Sequence, residues 1–216
     1  MGFGWRLFLK AFGSDLIAVA AEFECERCAP PIVGASLGGL GAVIAAGTLK
    51  PGVFSSVTLV DITPNLEESG VTKIVGFMGE HSKDGFSSLN EAADVIAKYL
   101  PHRRRPKDLE GLRKNLRLGQ DGRWRWHWDP AFIQDVVRRS AVERVGDLEQ
   151  SVRNIKAPIH LVRGRMSELV SDASVEAFKA LAPDAHFTDV ADARHMVAGD
   201  KNDVFTAAVS DFLRKH

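Results

Sequence analysis

The sequence has 216 residues, of which 45% are hydrophobic and 26% charged, and its 28 basic and 28 acidic side chains give a formal net charge of zero. These values are typical of one packed globular domain with room for an inserted lid, and they exclude a collagen, a coiled coil and a wholly disordered chain. A neutral chain has no overall field that attracts nucleic acid or an anionic membrane, so neither is expected as a partner. The apolar run over 32–49 is broken by glycines, and no cleavable signal pattern precedes it, so we expect a cytoplasmic protein.

The first third of the chain alternates between helix and strand patterns. An amphipathic stripe predicts a helix over 14–23, and residues 31–35 form a short apolar strand without polar alternation, as expected in a sheet covered on both faces. An Ala- and Gly-rich helix follows over 38–49, and then a second apolar strand over 57–61. Cys25 and Cys28 have no second ligand pair at zinc-finger spacing, so we expect a loop there and no redox or metal site.

The segment 67–155 has a different character. It contains helical stripes at 71–78, 89–96 and 109–116, a hairpin turn signal at 120–122, an alternating strand over 123–128, and two further helical stretches at 131–143 and 145–155. We expect a mainly helical cap here, inserted into a core made of 1–66 and 156–216. The side chains of Trp124, Trp126 and Trp128 share one face of the strand, which predicts that they pack the cap. Their functional interpretation is that one or two of them line an apolar acyl pocket between cap and core.

After this segment the alternation of strand and helix resumes. Strands are predicted over 159–163 and 186–190, and helices over 173–181 and 202–214. Apolar strands that alternate with helices indicate a mostly parallel sheet with helices on both faces. The predicted fold class is therefore α/β.

One motif in the core carries chemistry. Gly34-Ala35-Ser36-Leu37-Gly38 fits the pattern G-x-S-x-G, and it lies between a predicted strand and a predicted helix. A serine in such a turn is held in a strained conformation that projects its hydroxyl from the sheet, and we expect glycines beside it because a Cβ would collide with neighbouring backbone. The positive end of the following helix would stabilise negative charge beside Ser36.

A nucleophilic serine needs a base and a group that orients the base. Of the seven histidines, His195 is the best candidate for the base, because it follows the last strand in a loop that lies above the sheet. Glu168, in the loop after the strand at 159–163, is the favoured acid, because it has the chain order serine, acid, histidine. Asp61, at the end of the second strand, and Asp172 remain open as alternatives.

Several segments resemble the α/β-hydrolase superfamily, and within it the capped serine esterases, lipases and perhydrolase-like members. They are Val-Gly-Ala-Ser-Leu-Gly-Gly at 33–39, Leu-Val-Asp-Ile-Thr-Pro at 59–64, Leu-Val-Arg-Gly at 161–164, His-Met-Val at 195–197 and Gly-Asp at 199–200. The resemblance implies Ser36 as nucleophile, His195 as base and Glu168 as acid, although aspartate is the usual acid. It also argues against dehalogenase and epoxide-hydrolase activity, for which this superfamily uses an aspartate in place of the serine.

The chain departs from the family at its start. The family's sheet normally has several strands before the serine-bearing strand, and the loop after one of them donates a second oxyanion N–H. This chain begins one helix upstream of Ser36, so the resemblance assigns only the Leu37 N–H as an oxyanion donor. The strand at 31–35 would then form a sheet edge, which predicts self-association through that edge or its coverage by residues 1–8, unless the chain is a truncated gene product.

Together these features predict a serine hydrolase that cleaves an ester or related acyl compound through a Ser-His-acid triad and an acyl-enzyme. The expected partner is a small-molecule substrate, with no metal or organic cofactor. The alternative is a catalytically impaired or non-catalytic protein of the same fold, either a truncated remnant or a binding module, and the missing upstream strands motivate it.

Overall fold

The computed structural model describes residues 3–23, 29–129 and 142–216. Cys25, Cys28 and most of the helix predicted over 131–143 therefore lie outside the described residues. The chain divides into two compact units, the core unit (Met1–Val71 with Ser140–His216) and the inserted unit (Thr72–Arg139).

The described residues form strands and helices in the following order along the chain. The strands are β1 (Ile32–Ala35), β2 (Val57–Val60), β3 (Leu116–Leu118), β4 (Trp124–Trp126), β5 (Ile159–Gly164) and β6 (His186–Val190). The helices are α1 (Phe3–Ala21), α2 (Leu37–Ile44, continued by a π-helical turn at Ala45–Leu49), α3 (Glu68–Gly79), α4 (Leu89–Tyr99), α5 (Val142–Asn154), α6 (Asp172–Leu181), α7 (Val197–Asp200) and α8 (Asn202–Leu213). A 3₁₀ turn at Glu110–Lys114 precedes β3.

A four-stranded parallel sheet with the order β1-β2-β5-β6 forms the centre of the core unit. The register aligns Ala35 of β1 with Val60 of β2, and Val60 with Val162 of β5, so the carboxyl ends of these strands meet at one edge. Helix α1 packs against α2, and α8 lies against β5 and β6. Burial of apolar side chains between sheet and helices stabilises this arrangement. The predicted α/β fold with a parallel sheet is confirmed.

Burial differs between the central and outer strands of the sheet. Every residue of β2 and β5 is buried, including the polar Thr58, His160 and Arg163, as expected for central strands that are covered on both faces. In β1, by contrast, Ala35 is exposed and Val33 keeps 40% of its surface, so the prediction that this strand is covered on both faces is wrong. Among the described strands, β1 pairs with β2 alone, which agrees with the predicted sheet edge.

The structure places α5 with the core, although the sequence interpretation assigned residues up to 155 to the cap. Helix α5 packs against α2 and the π-helical turn. Thr48 and Ser151 share a hydrogen bond of 2.6 Å between their hydroxyls, and the Asn154 amide donates to the Gly47 carbonyl at 3.1 Å. The amphipathic stripe of α5 indicates a buried face but does not say which element covers it, so the border was misplaced.

The inserted unit has its own small core. Strands β3 and β4 form an antiparallel hairpin in which Leu116 pairs with Trp126, and the predicted turn is closed by hydrogen bonds between Gly119 and Arg123 and between Gly122 and Gly119. The helix predicted over 109–116 is instead the 3₁₀ turn followed by β3. The apolar side chains packed around this hairpin are Phe86, Leu89, Ala92, Val95, Leu112, Leu116, Trp124 and Trp126. That this unit acts as a cap stays a prediction.

Candidate active site

Ser36 occupies a strained turn between β1 and α2. Its φ of 49° and ψ of −121° lie where non-glycine residues are rare, and such conformations typically cost about 1–3 kcal/mol. The Ser36 N–H donates to the Val60 carbonyl at 3.1 Å, and the Ser36 carbonyl accepts the N–H groups of Gly39 and Leu40 at 2.9 and 3.2 Å. The sheet and the helix therefore hold the serine backbone from both sides, as the motif predicts.

The glycines beside Ser36 do not all have the same function. A Cβ on Gly34 would lie 2.7 Å from the Cα and N atoms of Gly39, and a Cβ on Gly39 would lie 2.9 Å from the Gly34 carbonyl oxygen. A Cβ on Gly38 would meet no atom within 4 Å. The steric explanation of the motif is therefore right for Gly34 but wrong for Gly38, and the close approach of strand and helix requires Gly39 instead.

Asp61 follows β2 directly and is fully buried, with 0% of its surface exposed. Because Ala35 pairs with Val60, Asp61 occupies on β2 the same level that Ser36 occupies on β1. Its carboxylate accepts the Gly164 N–H on Oδ1 at 3.0 Å and the Ser167 hydroxyl on Oδ2 at 2.6 Å. A buried carboxylate needs such donors, because removing a charge from water without them is costly.

His195 reaches this carboxylate from the loop after β6. Its Nδ1 lies 2.8 Å from Oδ2 of Asp61, and its side chain is 20% exposed. The loop is held against the end of β5, because the Met166 N–H donates to the Ala193 carbonyl at 2.9 Å. A Cβ on Gly164 would collide with the carbonyls of Ala193 and Arg194, which shows how closely the two segments approach. His195 and Asp61 thus meet at the carboxyl edge of the sheet, beside the turn that carries Ser36.

Glu168, the acid favoured from the sequence, does not occupy this position. The His195 Nδ1 is hydrogen-bonded instead to Asp61, one of the two alternatives that the sequence leaves open. Glu168 follows Ser167 in the loop after β5, and its backbone packs so closely against the start of α3 that a Cβ on Gly70 would collide with its carbonyl. Asp172 is 92% exposed and pairs with Arg163 at 2.5 Å. The preference for Glu168 is corrected because β2, and not β5, lies next to the serine-bearing strand.

The three tryptophans pack within the inserted unit. Trp126 meets Phe86 edge-on with ring centroids 5.4 Å apart, Trp128 stacks at 6.4 Å from Trp126, and the Arg113 guanidinium lies 4.9 Å from the ring of Trp124. This agrees with their predicted packing. A cavity of about 300 Å³ in the same unit is lined by Lys73, Phe77, Glu80, Val95, Lys98 and Tyr99, without the tryptophans. Their contribution to an acyl pocket stays a prediction.

Two negative findings hold for the part of the chain that the structure describes. None of its helices is both long and apolar enough to span a membrane. No group of three or more His, Cys, Asp or Glu side chains in this part is arranged to hold a metal ion.

The sequence did not predict a part for Ser167 in the site, because no motif or spacing in the sequence indicates one.

Relatives among known proteins are hydrolases. No model of a protein family matches the sequence. The chain is 27% identical over 185 residues to 2-(acetamidomethylene)succinate hydrolase of Mesorhizobium japonicum, and 26% identical over 192 residues to 3-hydroxybutyrate-oligomer hydrolase of Cupriavidus necator. The matches cover 84% of this chain in both cases, but only 63% and 64% of the relatives' lengths.

Solved structures of the same fold agree with these relatives. The crystal structure of E-2-(acetamidomethylene)succinate hydrolase superposes with a TM-score of 0.78 at 24% identity, over 94% of this chain and 72% of the other. An esterase from Mycobacterium tuberculosis gives a TM-score of 0.69 at 27% identity, over 95% of this chain and 67% of the other. An α/β hydrolase from Novosphingobium aromaticivorans gives 0.72 at 20% identity, over 94% and 71%. With the parallel sheet and the strained serine turn, these likenesses show that the chain has the α/β-hydrolase fold.

Proposed function

We propose that the chain is a serine hydrolase of an ester or related acyl compound, with Ser36 as nucleophile, His195 as general base and Asp61 as the acid that orients the base. The observation that carries the proposal is the 2.8 Å hydrogen bond between His195 Nδ1 and Asp61 Oδ2, made at the sheet edge where the strained turn presents Ser36. The relatives' common activity as hydrolases supports the same reaction class.

The hydrogen bond to Asp61 determines how His195 would act. A carboxylate only accepts hydrogen bonds, so the proton of the neutral imidazole lies on Nδ1 and Nε2 is left as the basic nitrogen. Nε2 removes the Ser36 hydroxyl proton as Oγ attacks the substrate carbonyl carbon, and the imidazolium then gives this proton to the leaving group. Asp61 stabilises the imidazolium in both steps. His195 then deprotonates a water molecule, which attacks the acyl-enzyme. The acyl group leaves as a carboxylic acid, and the proton returns to Ser36.

The oxyanion of the tetrahedral intermediate needs backbone donors. Leu37 is the first residue of α2, so its N–H has no acceptor within the helix and points with the positive end of the helix dipole. We assign this N–H to the oxyanion.

The substrate class follows from the chemistry and from the relatives' names. One relative is named for an oligomer of 3-hydroxybutyrate and the other for an acetamidomethylene compound. An ester and an amide both present the carbonyl carbon that a serine nucleophile attacks. We propose a small acyl substrate, with Trp124, Trp126 and Trp128 as candidates for binding its apolar part.

Two further parts of the proposal concern the environment of the protein. We propose self-association through the open side of β1, because among the described strands only β2 pairs with it and Val33 is 40% exposed there. An unpaired strand edge is a template for pairing with another chain. We also propose a cytoplasmic location, which rests on the sequence pattern alone.

A fluorophosphonate probe tests the proposed function directly. The native chain should be labelled stoichiometrically and should hydrolyse a 4-nitrophenyl ester, and both properties should be lost in Ser36→Ala. Ser69→Ala is the matched control, because Ser69 is an exposed serine in α3. A folded native chain that is neither labelled nor active would reject the proposal and favour the non-catalytic alternative, a binding module.

A further inference from the structure

Ser167 contacts the same carboxylate oxygen that His195 uses. Its hydroxyl lies 2.6 Å from Oδ2 of Asp61, and His195 Nδ1 lies 2.8 Å from that atom. Ser167 belongs to the turn that follows β5, where its N–H donates to the Gly164 carbonyl at 2.9 Å. Two donors from different loops therefore converge on one oxygen of a fully buried side chain.

The direction of the Ser167 hydrogen bond follows from its other partners. The Ser167 hydroxyl oxygen accepts the N–H of Leu169 at 3.0 Å and the N–H of Val170 at 3.2 Å. A serine hydroxyl has one proton and two lone pairs, and these two N–H groups occupy both lone pairs. Its single proton is thus directed at Asp61. The backbone of the turn fixes the hydroxyl as a donor, and it cannot rotate away without leaving two N–H groups unpaired.

Ser167 and Gly164 together fix the plane of the carboxylate. The Gly164 N–H donates to Oδ1 at 3.0 Å and the Ser167 hydroxyl donates to Oδ2 at 2.6 Å, so the side chain of Asp61 is restrained at both oxygens independently of His195. A group that orients a catalytic base must itself be held, because small displacements of catalytic groups are costly in rate.

We propose that Ser167 is a positioning residue for catalysis: it orients the Asp61 carboxylate, and through it the His195 imidazole, without touching the substrate. The inference rests on the proposed serine hydrolase function. Because Ser167 acts on the chemical step, its loss should lower kcat and leave KM unchanged. The expected loss in Ser167→Ala is about 10-fold to 100-fold in kcat, which corresponds to one hydrogen bond to a charged group.

The matched variants separate positioning from support of the fold. Ser167→Thr keeps the hydroxyl and should restore most of kcat, whereas Glu168→Gln changes the neighbouring residue and should keep it. Ser167→Cys has a weaker donor of similar size, so an intermediate kcat is expected. If Ser167→Ala does not fold, the Cys variant carries the test. Thermal unfolding of each variant shows whether the folded fraction accounts for any lost activity.

A readout that does not depend on turnover completes the experiment. The Nδ1 proton of His195 is identified in the proton NMR spectrum by its loss in His195→Ala. In Ser167→Ala it should exchange faster with water and broaden, and in Ser167→Thr it should sharpen again. An active native chain with full kcat and an unchanged Nδ1 proton in folded Ser167→Ala would overturn the role of Ser167 alone. An inactive, unlabelled native chain would instead overturn the proposed function, and this inference with it.

Discussion

The assignment of Asp61 as the acid predicts that Asp61→Asn abolishes most of the activity. The asparagine side chain has nearly the same shape but is neutral, and one of its two oxygens is replaced by an NH₂ group. Three donors converge on the native carboxylate, from Gly164, Ser167 and His195. If the amide oxygen stays with Gly164, its NH₂ group faces His195 and drives the imidazole proton from Nδ1 to Nε2. The nitrogen that should accept the Ser36 proton is then already protonated.

The size of the effect follows from this change of tautomer. The same replacement in serine proteases, where the acid also holds the base in its reactive tautomer, lowers kcat by about 10⁴. At about 1.36 kcal/mol per factor of ten, this corresponds to about 5.4 kcal/mol of lost transition-state stabilisation. Stability should fall less, by about 1–3 kcal/mol, because one buried donor loses its acceptor.

Ester hydrolysis by Asp61→Asn and by Glu168→Gln, side by side, is the decisive assay. Glu168→Gln is the matched control, because Glu168 is also a carboxylate in the serine-acid-histidine chain order but is not bonded to His195 Nδ1. We expect a loss of about 10⁴ for Asp61→Asn and nearly native kcat for Glu168→Gln. The reverse ranking, with both variants folded by thermal unfolding, would falsify the assignment of Asp61.

Three further outcomes follow from the core unit. Gly34→Ala should lower the free energy of unfolding, measured in urea, by about 1–3 kcal/mol, because its Cβ would lie 2.7 Å from the Gly39 backbone. Gly38→Ala should leave it unchanged or raise it by up to about 1 kcal/mol, because no atom lies within 4 Å of the new Cβ and alanine favours a helix. Burial, and secondarily the charge of His186, lower the pKa of His160 from 6.5 to about 4. As the pH falls, His160 is therefore protonated in the unfolded chain before it is protonated in the folded chain. The free energy of unfolding is highest above pH 6.5 and should fall by about 3 kcal/mol as the pH drops towards 4. His160→Gln should flatten this part of the pH profile of urea unfolding. Val33→Lys, which puts a charge on the open side of β1, should convert a self-associated protein to monomer in light scattering, and an unchanged mass above that of the monomer would place the interface elsewhere.

The sheet was predictable because each of its strands carries its own local signal. The strands predicted over 57–61, 159–163 and 186–190 correspond to β2, β5 and β6. The strand-turn-helix context of Ser36 was equally local. A pattern that depends only on neighbours in the chain can be interpreted from one sequence, because the periodicity of side chains directly reflects the secondary structure.

The inserted unit was harder because its elements depend on distant partners. The spacing of Leu116 from Leu109 and Leu112 predicts a helix, but in the structure Leu116 pairs with Trp126 as part of a hairpin. Tertiary pairing overrides weak helix propensity in such short segments. The predicted cap–core border at residue 155 is wrong for a similar reason, because α5 contacts Thr48, which lies about a hundred residues earlier in the chain.

The hydrogen bond between Asp61 and His195 could have been predicted from the sequence if strand order had been considered as well as chain order. Asp61, Glu168 and Asp172 all satisfy the order serine, acid, histidine, so that rule cannot choose among them. Consecutive strands joined by a helix are neighbours in a sheet about two-thirds of the time, so the strand after the serine-bearing one is the first place to look. Neighbouring strands lie about 4.8 Å apart, which puts a residue directly after β2 within one imidazole's reach of the serine turn. Glu168 lies four positions beyond the end of β5, which is one strand further from β1 than β2 is. The end of β5 is therefore about twice as far from the serine turn, and Asp61 is the nearer carboxylate for His195.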